Sequence, residues 1–219
     1  MIVRQTNRHT VLREQLIAAA ERTIASKGLA ALRARDLARE TGCAVGTIYN
    51  VFEHLDELVL CVGSRTLTML EVALAAARPP VPDGSGTEPV DDLVRLALTY
   101  LEFAATHTVR WRALFQHRMS EDRPLPEWFV EQHRLFAQVE QPLTALLPQL
   151  DRKARRTLAR TVFSAVHGIV ALGLDEKLVS LSLSDLAGQL TAMVRAIAAG
   201  REELRAIDSA DTPADLRRD

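Results

Sequence analysis

The chain has 219 residues, 47% of them apolar and 25% charged, with a net charge of −1. That is enough apolar material for one large core or two small ones, and the balanced charge does not by itself suggest a nucleic-acid partner. Two cysteines are too few for a disulfide framework or a lone zinc site. Met1 to Ala20 carries charges throughout and no uninterrupted apolar core, and no run approaches the eighteen or so apolar residues of a membrane span. The composition therefore implies a soluble cytoplasmic protein without a membrane partner.

Residues 1 to 60 hold eight Lys or Arg against seven Asp or Glu. Arg4, Arg8 and Arg13, with His9 between them, precede the first acidic residue, Glu14. They form either an arm that tracks phosphates or enters a minor groove, or a mobile terminus. Leu16, Ala19, Ala20, Thr23 and Ile24 make the stripe of an amphipathic helix that Gly28 closes. Arg33 to Phe52 then reads RARDLARETGCAVGTIYNVF. Its first half is a short helix with Leu37 and Ala38 on one side and Arg35, Asp36, Arg39 and Glu40 on the other. Gly42 supplies the left-handed backbone that ends it. A second short helix after Cys43 and Ala44 turns Ile48 and Phe52 inward and leaves Val45, Thr47, Tyr49 and Asn50 on outward or flanking positions. Two short helices joined at a tight glycine turn are a helix-turn-helix, and the second is sized for a DNA major groove. Thr47 suits a thymine methyl or a phosphate, Asn50 an adenine edge, and Tyr49 a phosphate. Leu55, Leu58, Val59 and Val62 begin a longer helix near Asp56.

Read together, Ala19-Ala20, Ile24, Gly28, Leu37-Ala38, Gly42, Gly46-x-Ile48-Tyr49-x-x-Phe52 and Leu58 resemble the N-terminal domain of the TetR family of transcriptional regulators. The resemblance covers roughly residues 10 to 65. It departs at three places. Arg33 stands where a capping Thr is common, Ala44 where a capping Ser is, and Leu55 where a Lys is usual. Arg33 cannot accept a capping hydrogen bond, which typically costs about 1 kcal/mol, but its cation suits a phosphate. The resemblance implies a DNA-facing set of Arg33, Val45, Gly46, Thr47, Tyr49, Asn50 and His54.

The rest of the chain also reads as helical. The fourth helix runs to about Ala77, and RPPVPDGSGTEP over 78–89 is an exposed loop. A helix from about Val90 carries Leu93, Leu96, Ala97, Tyr100 and Leu101 and ends near His107. A short helix with Trp111, Leu114 and Phe115 follows. After Pro124 and Pro126 a long helix carries Phe129, Leu135, Phe136 and Val139, with a kink expected at Pro142. Leu158, Val162, Ala165, Ile169 and Leu172, then Leu186, Leu190, Met193, Val194 and Ile197, form narrow seams on two final helices. These helices either pack only within the subunit or build a four-helix interface with a symmetry mate. The resemblance favours a homodimer through Leu158, Val162, Ala165, Ile169, Leu190, Met193 and Ile197.

Val166-His167-Gly168, with Phe163 ahead of it, resembles the tryptophan-histidine-glycine signature of one subgroup of the family. His167 is either a core or interface histidine or a ligand contact. The aromatic residues of this half are likewise either plain core or pocket wall. As a pocket, the expected lining is Phe103, His107, Trp111, Phe115, Phe129, His133, Phe136, Val166 and His167, around a small, mostly apolar effector.

Histidines at 9, 54, 107, 117, 133 and 167 include no i, i+4 metal pair. No phosphate-binding glycine loop, nucleophile elbow or paired-carboxylate motif is present. No metal, cofactor or enzyme activity is therefore expected. The whole reads as an all-α protein: an N-terminal three-helix helix-turn-helix domain over 10–62, a helical effector-binding and dimerisation domain over 63–206, and a polar tail over 207–219 that is expected to be disordered. Its expected role is a ligand-released repressor on a near-palindromic double-stranded operator. The alternative is a helical interaction or ligand-binding protein whose DNA binding is weakened or lost.

Overall fold

The computed structural model describes residues 2–77, 88–117, 126–175 and 181–200, with side chains from Arg8 onward and, in the helix that starts at Pro126, from Val130. Among these residues every regular element is a helix and there is no strand. In chain order the helices are α1 (Ile2–Lys27), α2 (Ala34–Thr41), α3 (Val45–Val51), α4 (Leu55–Ala76), α5 (Pro89–Thr106), α6 (Thr108–Gln116), α7 (Pro126–Leu146), α8 (Arg152–Gly173) and α9 (Leu183–Ala199). A 3-10 turn over Leu29–Ala31 links α1 to α2. Apart from Glu88 and Pro89, the loop expected over 78–89 lies outside the described residues, as does the tail from 207. Pro142 is buried inside α7 and does not end it.

By contact the chain forms two compact units, one of residues 1–73 and 102–135, the other of 74–101 and 136–219. The first extends beyond the expected 10–62 boundary because α6 packs on α1 and the 3-10 turn. Its core gathers Leu16, Ile17, Ala20 and Ile24 of α1 with Leu37, Ile48, Phe52, Leu58 and Val62, and Ala113 of α6 joins them. Each large apolar side chain buried this way contributes roughly 1.5–3 kcal/mol. Gly28 and Gly42 have positive φ, 82° and 68°. They stand where the chain leaves α1 and α2, a conformation that L side chains adopt only at a cost.

By length and composition α4 is apolar enough to cross a membrane, a property that counting unbroken apolar runs does not register. Its place in this unit is that of a core helix. Leu58, Val62, Thr66, Leu67 and Leu70 are buried, and Arg65 pairs with Glu14 and Glu21 of α1.

In the second unit α8 and α9 pack together. Asp151 caps α8 by accepting from the Ala154 amide at 2.7 Å, and Ser182 caps α9 by accepting from Asp185 at 3.1 Å. The buried face of α8 is Ala159, Val162, Val166, Val170 and Gly173, and that of α9 is Leu186, Leu190, Val194 and Ala198. This corrects the expected seams. Val162 and Leu190, at 5% and 0% exposure, are already buried within the chain. Leu158, Ala165, Ile169, Met193 and Ile197 are half-buried. The physical reason is that α8 is apolar on two neighbouring faces, so a 4-3-4-3 spacing begun at Leu158 crosses from one to the other.

Candidate nucleic-acid interface

The α2–α3 turn is set by backbone and core. Gly42, at φ 68° and ψ 26°, donates to Ala38 O, and the Cys43 amide reaches the same carbonyl at 3.0 Å. These bonds satisfy a carbonyl at the end of α2 and aim the chain into α3. Ile48 and Phe52 are both fully buried, which fixes the rotation of α3 about its axis. On the other side Val45, Gly46, Tyr49 and Asn50 are exposed, Thr47 is half-buried, and His54 just beyond is exposed. The helix therefore offers a short polar and small-residue face of the kind that direct readout in a major groove uses.

Neighbouring contacts fix this helix. His9 Nε2 of α1 lies 3.2 Å from the Asn50 carbonyl. Arg13 sits over the Phe52 ring, 5.0 Å from its centroid. It also donates to Cys61 Sγ at 3.2 Å and lies 3.6 Å from Glu57. The expectation of an arm or a mobile terminus is thus corrected in two respects. The segment belongs to α1, and Arg13 points into the protein, where its guanidinium has partners that the sequence places far away. Arg8 remains exposed, and the Arg4 side chain lies outside those described.

The two departures at the caps have structural counterparts. Neither Arg33 before α2 nor Ala44 before α3 makes a side-chain cap bond. Arg33 Nη1 instead donates to the Ala30 and Leu32 carbonyls at 2.6 and 2.9 Å. Its charge stays exposed beside the turn, with one nitrogen engaged. Cys43 is half-buried with Thr41 Oγ1 3.3 Å from its Sγ.

An ionic network that runs from buried Arg110 out to exposed Glu14, which sequence reasoning missed, backs this domain. Arg110 of α6 is 8% exposed, lies 2.5 Å from Glu21 Oε1, and donates from Nε to Thr66 Oγ1 at 2.8 Å. Glu21 also holds Arg65 at 3.2 Å, and Arg65 reaches on to Glu14. Burial pushes the Glu21 carboxyl up, but hydrogen bonds from Arg110 and Arg65 outweigh it and hold its pKa below the ordinary value. Burial likewise lowers Arg65, and Glu21 and Glu14 more than reverse that. Two arginines and two glutamates balance, and at the inner end Glu21 meets the buried Arg110 charge, as burial of charge demands. The one trace in the sequence is the seven-residue spacing of Glu14 and Glu21, two helical turns that place both on one face.

The expected pocket residues do not gather in one unit. In the first unit Phe103 is buried with its ring 4.8 Å from His107. Trp111 is buried edge-on to Phe115 at 5.6 Å, while Phe115 is 49% exposed and His133 is exposed. In the second unit Phe136 meets Phe163 edge-on at 5.5 Å with Arg160 over its face. His167 stacks on Phe163 at 5.8 Å, and its Nδ1 lies 2.8 Å from the Tyr100 hydroxyl. Burial holds its pKa below the ordinary histidine value. Val166 lies on the buried face of α8. The Phe129 side chain is outside those described.

Comparison with known proteins agrees with the helix-turn-helix. The model described as bacterial regulatory proteins, tetR family, matches residues 16–62, and the one described as tetracyclin repressor-like, C-terminal domain, matches residues 93–205. The chain belongs to the TetR family: it is a DNA-binding transcriptional regulator and not an enzyme. The HTH-type transcriptional regulator BetI 2 of Chromohalobacter salexigens is 26% identical over 153 residues, which span 69% of this chain and 74% of that protein. A transcriptional regulator from Rhodococcus sp. Rha1 is similar in structure with a TM-score of 0.62 at 18% identity, covering 86% of this chain and 96% of that one. A tetR-family transcriptional regulator from Streptomyces coelicolor gives 0.61 at 17%, covering 90% and 86%. At such identities the structural likeness is one of fold.

Proposed function

We propose that the protein is a homodimeric repressor that leaves a near-palindromic operator when a small, mostly apolar effector binds. The observation that carries this reading is the division of α3, with Ile48 and Phe52 fully buried and Val45, Tyr49 and Asn50 exposed. A helix so anchored presents the same side chains in every molecule, as base readout requires. On this reading Arg33, Val45, Gly46, Thr47, Tyr49, Asn50 and His54 meet DNA, with residues 10–62 as the DNA-binding domain. Residues 63–206 serve the effector and the dimer. The half-buried Leu158, Ala165, Ile169, Met193 and Ile197 face the partner subunit. His167, in a motif that resembles the tryptophan-histidine-glycine subgroup, helps orient the effector. Release follows from linkage: an effector that prefers the conformation unable to bind DNA weakens binding by the ratio of its two affinities.

Selection of bound duplexes from a random pool tests this. The expected result is a palindromic consensus with half-sites about one helical turn or somewhat more apart, bound with a strong salt dependence. Thr47→Ala combined with Tyr49→Ala should abolish enrichment while the circular dichroism spectrum is unchanged. A folded double variant that binds the selected duplex as tightly as wild type refutes the assignment. Failure of wild type to enrich any sequence favours the interaction-protein alternative, for which the uncapped α2 and α3 are the supporting observation.

A further inference from the structure

We propose that a cavity in the first unit, between α1, α4, α6 and α7, binds a compact neutral molecule of about single-ring size that carries one oxygen-bearing polar group. The cavity measures about 210 Å³, and an apolar cavity of about 150 Å³ is enough to take benzene. Ile24, Val59, Ala113 and Leu114 supply apolar wall, and Thr66, Arg110, His117 and Gln132 supply the polar part. None of the nine residues expected from the sequence to line a pocket is among them.

The polar part determines what fits. Arg110 is more than nine-tenths buried, but its charge is met by Glu21 and its Nε is engaged by Thr66. The Thr66 hydroxyl donates to the Val62 carbonyl at 2.9 Å. That wall is polar yet balanced, so a free anion gains no uncompensated cation, and a neutral dipole fits better. Two buried nitrogens of this wall lack a regular hydrogen bond among the described residues: Arg110 Nη2, whose charge Glu21 meets at 2.5 Å all the same, and His117 Nε2, from which Asp56 Oδ1, at 4.0 Å, is beyond hydrogen-bond reach. A buried ring nitrogen without a partner has lost its water and received nothing in exchange, and a ligand oxygen restores the bond. The half-buried Gln132 amide, offering both donor and acceptor, can hold the second side of the same group.

Position gives the site its consequence. Ile24, Val59 and Ala113 belong to the same core cluster as Ile48 and Phe52, which seat the recognition helix. The consequence for transcription rests on the repressor reading above, but the binding itself does not, so it is measured on the full chain without DNA. Isothermal titration with benzamide, its charged counterpart benzoate, and ethylbenzene provides the three arms. The expected result is saturable binding of benzamide at one site per chain, with benzoate and ethylbenzene at least about fivefold weaker. His117→Leu keeps the bulk and removes the nitrogen, and should weaken benzamide about tenfold. Ala113→Leu fills the space and should abolish binding. Circular dichroism checks that each variant folds, and His117→Leu decides alone if Ala113→Leu does not. Absence of saturable benzamide binding overturns the proposal. So does ethylbenzene or benzoate binding as tightly as benzamide, or a folded His117→Leu variant that binds benzamide at wild-type affinity.

Discussion

Gly42 and Gly46 lie four residues apart on either side of the turn, and replacing each with Ala should shift stability in opposite directions. At Gly42 a Cβ would meet nothing within 4 Å, but φ is +68°. The whole penalty of Gly42→Ala is therefore backbone strain, about 1–2 kcal/mol. Gly46 lies within α3, its φ is not in the left-handed region, and a Cβ there also meets nothing within 4 Å. Gly46→Ala should recover about 0.5–1 kcal/mol of helix entropy. For a chain of this length 1 kcal/mol corresponds to roughly 2–4 °C in Tm, so the two variants should differ by about 3–12 °C. Gly42→Asn should fall between wild type and Gly42→Ala, because Asn tolerates the left-handed region better. Differential scanning calorimetry on the three variants measures this. Operator binding provides the second readout: Gly46→Ala adds a methyl to the exposed face and should weaken binding even as it raises Tm. Tm shifts of the same sign for the two Ala variants, or a Gly42→Ala variant as stable as wild type, would refute the reasoning.

Asn50→Ala should relax base preference at one position by about 1–3 kcal/mol, whereas Tyr49→Phe should weaken all duplexes alike; binding to a panel of single-base operator variants separates the two. Ile169→Glu places a charge on the half-buried face of α8 and should yield monomers, while light scattering that finds wild type monomeric at micromolar concentration removes the dimer interface from consideration. His167 is held neutral by burial, with its pKa depressed below the ordinary value near 6.5. Its contribution to stability is thus present above about pH 6.5 and is lost as pH falls below that toward the folded value. His167→Gln should flatten the decline in urea stability between about pH 7 and pH 5, and an unchanged slope would mean that other groups carry it.

The helix-turn-helix was legible in the sequence because local rules decide it. Gly42 must be left-handed for α2 to stop where it does, and the i, i+4 spacing of Ile48 and Phe52 orients α3 without help from distant residues. The face of α8 that turns inward was not legible. Leu158, Ala165 and Ile169 are as apolar as Ala159, Val166 and Val170, and only the position of α9, with Leu186 close against Gly173, selects between them. Arg110 was opaque for a different reason. A charged residue in a short helix reads as surface, and what makes its burial tolerable is a carboxylate 89 positions earlier in the chain. The cavity depends on the same long-range packing, which is why aromatic content pointed to other residues.

The first unit is assembled from two stretches of chain, 1–73 and 102–135, and this orders its formation in time. While the protein is being synthesised, α1 to α4 emerge first with the side of α1 that meets α6 still open and with Glu21 lacking Arg110. The α6 side of that core is covered only once Ala113 arrives, and Glu21 gains its buried partner only with Arg110, after the intervening α5 has been made. A fragment cut after α4 would keep every residue of the recognition helix and still be left, permanently, in that half-finished condition.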